Sequence, residues 1–308
     1  MSEKKYTSLF LYLRRLICLL HLPAVYSFRF LLLTGFLKIS PAFGASGITP
    51  LFLTDTVFRH PESALYYKTG DYMIISNMDK NTPADSLFTD YLSKMSLDGQ
   101  QVEPYWLGGF SSPTGLVVDK DILYVVERNA VAVVDLSVPV ILKRFSIPTK
   151  GFLNDIAIDL QDGTLYITET EQEGRIYRIK KDEVTIWMQD TVLAFSNGIL
   201  VDGDNILLGV NGDHSLKRIN KFSRAINTVC YLGPGNIDGI QVDEKGNYWV
   251  SHFLGNLYRI TPDGQAEELM NTRDKDIFIA DFCYLQDKRL LIIPSLRTNR
   301  VYGYTYED

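Results

Sequence analysis

The chain has 308 residues, of which 46% are hydrophobic, 22% charged and 12% aromatic, and a formal net charge of −6. The charge is uneven: residues 1–45 hold six bases (Lys4, Lys5, Arg14, Arg15, Arg29, Lys38) against one acid, Glu3, leaving 25 bases and 36 acids beyond them. So acidic a body excludes a grip on phosphate backbones, which needs Lys and Arg to displace counterions. The 22 Gly, 18 Tyr and 16 Phe, with little sign of long amphipathic helices, predict an all-β chain.

In chain order, the basic start is followed by two short apolar runs, 16–22 and 30–36, separated by Arg29. Neither reaches the roughly 18–20 apolar residues that span a bilayer. The small residues Ala42 and Gly44 before Ser46 suit a signal-peptidase site. Residues 1–45 therefore read as an export signal or membrane-associated segment, and 46–308 as the folded body of an exported, periplasmic or secreted protein. The body retains Cys230 and Cys283, too few for a disulfide framework, and they are expected as free thiols with one bridge left open. His21, His60, His214 and His252 are scattered, without zinc-ligand spacing.

The body repeats one motif six times: a polar residue, an alternating apolar strand, a turn, and a second strand rich in Tyr, Val and Ile. The second residues of the copies are Glu62, Thr114, Asn154, Asn197, Asp238 and Ala280, spaced 52, 40, 43, 41 and 42 positions apart. A period of about 40–45 with several short strands per copy is that of propeller blades, and the period-2 alternation excludes a helical solenoid. The prediction is a six-bladed β-propeller of four-stranded blades around a central channel. Second strands fall at 72–76, 123–126, 165–168, 206–210, 248–251 and 290–293, and residues 54–58 are expected to complete the last blade. Asp119, Asp159, Asp202 and Asp243 recur at one turn and read as structural.

The second residue of each copy varies instead, and it opens the innermost strand, facing the channel. Glu62, Asn154, Asn197 and Asp238 would bring two carboxylates and two amide carbonyls to one axis. Unpaired carboxylates there repel and lose solvation, which a hard cation relieves. Oxygen-only ligands suit Ca²⁺, with Mg²⁺, Mn²⁺ or Zn²⁺ as the other candidates. Each side chain taken singly could equally cap its strand or bind channel water.

From about residue 50 onward the sequence resembles the gluconolactonase, senescence-marker protein and luciferin-regenerating-enzyme family of six-bladed propellers, and more distantly the paraoxonases. The resemblance rests on His60-Pro61-Glu62, Leu153-Asn154-Asp155, Ser196-Asn197-Gly198 and Asp238-Gly239, followed by Asp243-Glu244-Lys245-Gly246-Asn247-Tyr248-Trp249-Val250. It implies that Glu62, Asn197 and Asp238 bind one divalent metal, with Asn154 contacting the metal or the substrate. It also implies Asp238 as a base. Sugar-lactone hydrolases of the family place an Arg where this chain has Phe152, so a more apolar ester or lactone is expected.

The expected activity is metal-assisted hydrolysis of a lactone or ester, with the cation polarising the carbonyl. Strand antiparallelism puts Asn77, Glu127, Arg128, Glu169, Asn211 and His252 at the same end, so Phe152, Arg128, Glu169, Asn211 and His252 are candidate substrate contacts. Asp281 could add an outer contact to the metal or cap its strand, and Glu169, Glu171 and Glu173 read as a solvated loop. The alternatives are a non-catalytic propeller with a structural metal that binds a protein or glycan, and a propeller that binds or isomerises a metabolite. The expected partner is a small-molecule substrate for a monomer that touches membrane only through an uncleaved N-terminal segment.

Overall fold

The computed structural model describes residues 47–78 and 89–307. These residues form six four-stranded antiparallel sheets, and between them only three single-turn 3-10 helices. The innermost strands are Pro61–Tyr67, Leu116–Asp119, Phe152–Asp159, Ser196–Asp202, Ile237–Val242 and Cys283–Leu285. Numbered in chain order, they define blades one to six of the predicted all-β six-bladed propeller.

The ring is visible in the packing. Alternation along each strand gives a sheet two apolar faces, and six buried clusters each join one blade to the next. Leu116, Leu123 and Val134 of blade two, for instance, pack on Ile74, Leu92 and Phe110 of blade one. Ile279, Phe282 and Leu291 of blade six pack on Trp249 and Leu257 of blade five. The circle closes where Cys283, Leu285 and Ile292 meet Met73, Ile75 and Met95 of blade one.

The strand that completes blade six is Ile48–Leu53, paired with Arg300–Tyr306 from Ile48↔Tyr306 to Leu53↔Tyr302, and not the expected 54–58. Thr54 ends the pairing, its N–H donating to the Val301 carbonyl (3.1 Å) and its Oγ1 accepting from Val301 N–H (3.0 Å). Beyond it the chain must turn into blade one, and Phe58 drops, fully buried, between blades six and one. Blade six departs from the repeat a second time. Its inner strand is only Cys283–Leu285, because Asp281 bridges in parallel to Ser63 of blade one instead of extending its own sheet.

Of the recurring turn Asp residues, Asp243 holds its own turn, accepting from Lys245 N–H (2.9 Å), Asn247 N–H (2.8 Å) and Trp249 Nε1 (3.3 Å), while Asp159 and Asp202 accept from Lys221 and Tyr248 of the next blade. Cys283 is buried and Cys230 half-buried, and both are free thiols. The expected export segment lies outside the described residues, among which no helix is long and apolar enough to cross a membrane.

Candidate functional site

Four inner strands carry the same irregularity at the same place. Register shifts fall between Pro61 and Ala64, Leu153 and Ile156, Ser196 and Ile199, and Ile237 and Ile240. In each, two residues face one across the ladder, which is a β-bulge. The bulged pairs are Glu62-Ser63, Asn154-Asp155, Asn197-Gly198 and Asp238-Gly239. A bulge strands a backbone N–H, and burying one unpaired costs about 1–3 kcal/mol. The side chain opposite supplies the acceptor in three blades: Ser76 Oγ for Ser63 N–H (2.9 Å), Thr168 Oγ1 for Asp155 N–H (3.0 Å) and Ser251 Oγ for Gly239 N–H (2.7 Å). The bulges turn Glu62, Asn154, Asn197 and Asp238 into the hub, where all four are buried.

Three of them carry an unpartnered oxygen. Glu62 Oε2, Asn154 Oδ1 and Asn197 Oδ1 are buried without a hydrogen bond, as is Thr114 Oγ1 at the equivalent position of blade two. Asn154 is oriented from behind, its Nδ2 donating to Thr170 Oγ1 (3.1 Å). Burial pushes the Glu62 carboxyl well above the usual range, and the charges of Asp238, Asp281 and Asp155 push it further. Asp238 is raised by burial and by Asp281, against a lowering contact from the Asn197 side chain. Asp155 is raised by burial and Asp281, although the N–H groups of Ile199 and Ile156 bond to it. Asp281 rises to about 7 through burial, opposed by the Ser63 hydroxyl. None of these leading influences comes from a Lys or Arg. Buried polar atoms without partners, ringed by carboxyls that repel, are the donor set a hard cation requires. Among the described residues no three His, Cys, Asp or Glu form a metal cluster by themselves, so amide oxygens would have to complete the shell.

Asp281 was expected either as an outer contact to the metal or as a strand cap, whereas Asp155 was legible as part of the repeat but not as a hub carboxylate. Simple alternation turns the residue after a channel position away from it, and in blade three the bulge cancels that alternation.

The second ring predicted at the mouth is placed otherwise. Asn77, Glu169 and His252 pair across the ladder with Pro61, Leu153 and Ile237, so their side chains share the face that packs between blades. Glu169 is fully buried and accepts from Lys150 N–H (2.6 Å), Gly151 N–H (2.7 Å), Arg175 Nη1 (2.7 Å) and Thr149 Oγ1. Burial would raise its carboxyl, but those bonds hold it below the usual range. With Glu171 and Glu173 it grips buried Arg175, so the acidic trio is a clamp and not a solvated loop. Asn211 Oδ1 accepts from Ile237 N–H (2.7 Å), pinning the start of blade five. Asn77 bonds Arg59 N–H and Ser93, and Glu127 holds Ser111 N–H and Arg144. His252 is fully buried beside the Gly233 backbone, without a well-formed hydrogen bond at either nitrogen, and burial followed by Arg273 lowers its pKa. Asn77, Glu127, Glu169 and His252 are buried in these structural roles, while Asn211 is half-buried.

Arg128 is exposed in the loop after the second strand of blade two, and Phe152 is half-buried. Phe152 joins a cluster that sequence reasoning did not assemble: Met78, Ala280 and Leu296 are buried together, with Phe152 and Phe253 packed on them. Phe253 meets Phe278 edge-on with centroids 5.0 Å apart, and the Arg297 guanidinium lies 4.1 Å over Phe278. Blades one, three, five and six thus build an apolar wall at the end where the bulged residues enter the hub.

Fold and hub together define a six-bladed β-propeller with an acidic, oxygen-lined centre. The pattern described as the SMP-30/gluconolactonase/LRE-like region matches residues 89–277. The chain belongs to that family. Among solved structures, a gluconolactonase from Xanthomonas campestris superposes with a TM-score of 0.67 at 16% identity, over 86% of this chain and 91% of that one. A catalytically inactive virginiamycin B lyase from Staphylococcus aureus, solved with quinupristin, gives 0.60 at 17% identity, over 84% and 99%. A streptogramin B lyase gives 0.59 at 15% identity, over 84% and 97%. At such identities the likeness is one of fold. No curated protein sequence matches the chain.

Proposed function

We propose that the protein is a metal-dependent hydrolase of lactones or esters that carry an apolar arm. Membership of the family supports the reaction class, while the lyases among the neighbours show that the fold alone does not choose the chemistry. The observation that carries the reading is the set of unpartnered, buried oxygens of Glu62, Asn154 and Asn197 beside Asp238. Those four residues would hold a divalent cation, Ca²⁺ in first place for an all-oxygen set, with Mg²⁺ and Mn²⁺ next. Such a cation, when bound, supplies polarisation of a carbonyl and stabilisation of an oxyanion.

The residues themselves do the rest. Asp238 would take a proton from an attacking water. Asn154, held by Thr170, presents its carbonyl to the hub. Phe152, with Phe253, Met78 and Leu296, offers an apolar surface where a polyhydroxylated sugar would lose hydrogen bonds to water. The basic, twice-apolar segment 1–45 supports export, so that the propeller acts outside the cytoplasm.

The test is direct. Full-length protein stripped with chelator and refilled with Ca²⁺, Mg²⁺ or Mn²⁺ is assayed on lactones and aryl esters. Turnover that depends on the added metal is expected. Metal bound without turnover of any substrate would instead support a non-catalytic propeller with a structural ion.

A further inference from the structure

The bulged residues do not hold themselves in place; the neighbouring blade does. In four of the six copies the residue after the channel position is Ser63, Gly115, Gly198 or Gly239, and in copies three and six it is Asp155 or Asp281. Each of these two carboxylates crosses a blade boundary at a ligand-bearing bulge. Asp155 Oδ2 accepts from Ile199 N–H in blade four (2.9 Å), while its Oδ1 accepts from Ile156 N–H (2.7 Å). Thr168 Oγ1, also of blade three, donates to the Asn197 carbonyl (2.7 Å). The Asn197-Gly198 bulge is therefore gripped at both ends by blade three. Asp281 grips the other side of the ring. Its N–H donates to the Glu62 carbonyl (3.0 Å), its carbonyl accepts from Ala64 N–H (3.1 Å) and its Oδ2 accepts from Ser63 Oγ (2.5 Å).

The preceding blade makes room for both. A Cβ on Gly115 would sit 2.5 Å from Asp155 Oδ1, and one on Gly239 would sit 2.5 Å from Asp281 Oδ1. Each carboxylate thus lies between a glycine behind it and a ligand-bearing bulge ahead of it, and blades three and six stand opposite in the ring of six. We propose that Asp155 and Asp281 are paired positioning residues. Asp155 sets the aim of Asn197 and Asp281 that of Glu62, so the two inter-blade buckles determine how tightly the hub binds a divalent cation. The assignment rests on the cation reading above.

Geometry and charge can be separated, because Asn and Ala remove the same charge but only Asn retains an acceptor oxygen. Ca²⁺ binding to the full-length protein is measured by titration calorimetry for Asp281→Asn against Asp281→Ala, and for Asp155→Asn against Asp155→Ala. Ser63→Ala, which leaves every charge in place, is measured with them. Removing one of several buried like charges offsets part of the cost of the donors an Ala leaves unpaired, and thermal unfolding is recorded for each variant. Each Ala variant should bind about tenfold more weakly than its Asn counterpart, and Ser63→Ala about tenfold more weakly than the unaltered protein, the low end of what outer contacts to metal ligands contribute. Exposed Asp162→Asn, which removes a charge elsewhere, should leave affinity unchanged. Equal affinities within each Asn/Ala pair, with Ser63→Ala unaffected, would overturn the assignment. An unaltered protein that binds no divalent cation would overturn the cation reading beneath it.

Discussion

Stripped of divalent cations, the protein should become less stable as pH rises from about 5 to about 7.5. Burial lifts the Asp281 carboxyl from 3.8 to about 7, and it lifts Glu62, Asp155 and Asp238 in the same direction. In the unfolded chain all four ionise near 4. Between those limits the folded protein keeps protons that the unfolded chain has released, so stability is full below the unfolded pKa and is lost as pH climbs through the folded one. For Asp281 alone, the rise from 3.8 to about 7 sets a ceiling of about 4 kcal/mol. Repulsion shared among coupled groups and partial solvent access cut this to about 2 kcal/mol. For a domain of this size that is a fall in Tm of roughly 4–8 °C. Ca²⁺ at a hundred times its Kd should restore about 2.7 kcal/mol. Thermal unfolding in chelator and in Ca²⁺ at several pH values reads both effects. Asp238→Asn sharpens the test, since it should raise the metal-free Tm at pH about 7.5 yet abolish the gain from Ca²⁺. A metal-free Tm that stays flat or rises over this range would refute the reasoning, because the hub carboxylates would then ionise in the fold at no cost.

Glu169→Ala leaves Arg175 without its fully buried partner and the N–H of Lys150 unpaired, and should cost about 3–5 kcal/mol in urea unfolding. A loss below about 1 kcal/mol would show that the clamp is not structural. Phe152→Arg replaces part of the apolar wall by a hydrogen-bond donor and should lower kcat/KM for aryl esters relative to sugar lactones by about tenfold; an unchanged ratio would remove Phe152 from the specificity surface. The mature protein recovered from its native cells should begin near residues 45–46, read by N-terminal mass spectrometry, and retention of residues 1–44 would defeat the export assignment.

The blades were legible because alternating apolar residues, a recurrent turn Asp and a period of about 40–45 all repeat, and six repeats of one unit leave little freedom of topology. The channel positions were legible because variation among copies marks what the blade itself does not require. Two errors had separate causes. Strand antiparallelism gave Glu169 and His252 the right end of their strands but not a direction, and cross-strand pairing with Leu153 and Ile237 turns them between blades. An uninterrupted period of two hid Asp155, which alternation points away from the hub. The corrective signal was present: Ser76, Thr168 and Ser251 stand opposite three of the bulges, hydroxyl residues at one register of strands otherwise rich in apolar ones. The closing strand was placed six residues late because Thr54 and Phe58 continue the apolar pattern past the point where the chain turns.

The hub's acids also bear on whether they serve the fold at all. Ala280 and Thr114 occupy the same position in blades six and two, fully buried, ahead of inner strands that begin only at Cys283 and Leu116 in four-stranded sheets. The fold therefore accepts a methyl group or a hydroxyl there. A carboxylate at that place is costly, since burial and like charge both raise its pKa and no basic residue is among its leading influences. A structural role would be met more cheaply by Ala or Thr, or by an Asp paired with Lys, as Asp159 is with buried Lys221 elsewhere in the molecule. Glu62 and Asp238 stand with Asn154 and Asn197 in four blades, on four bulges whose stranded N–H groups had to be accommodated. Buried like charge at one point of an otherwise regular repeat costs the fold stability that a bound cation would return, and it is the reason for proposing one there.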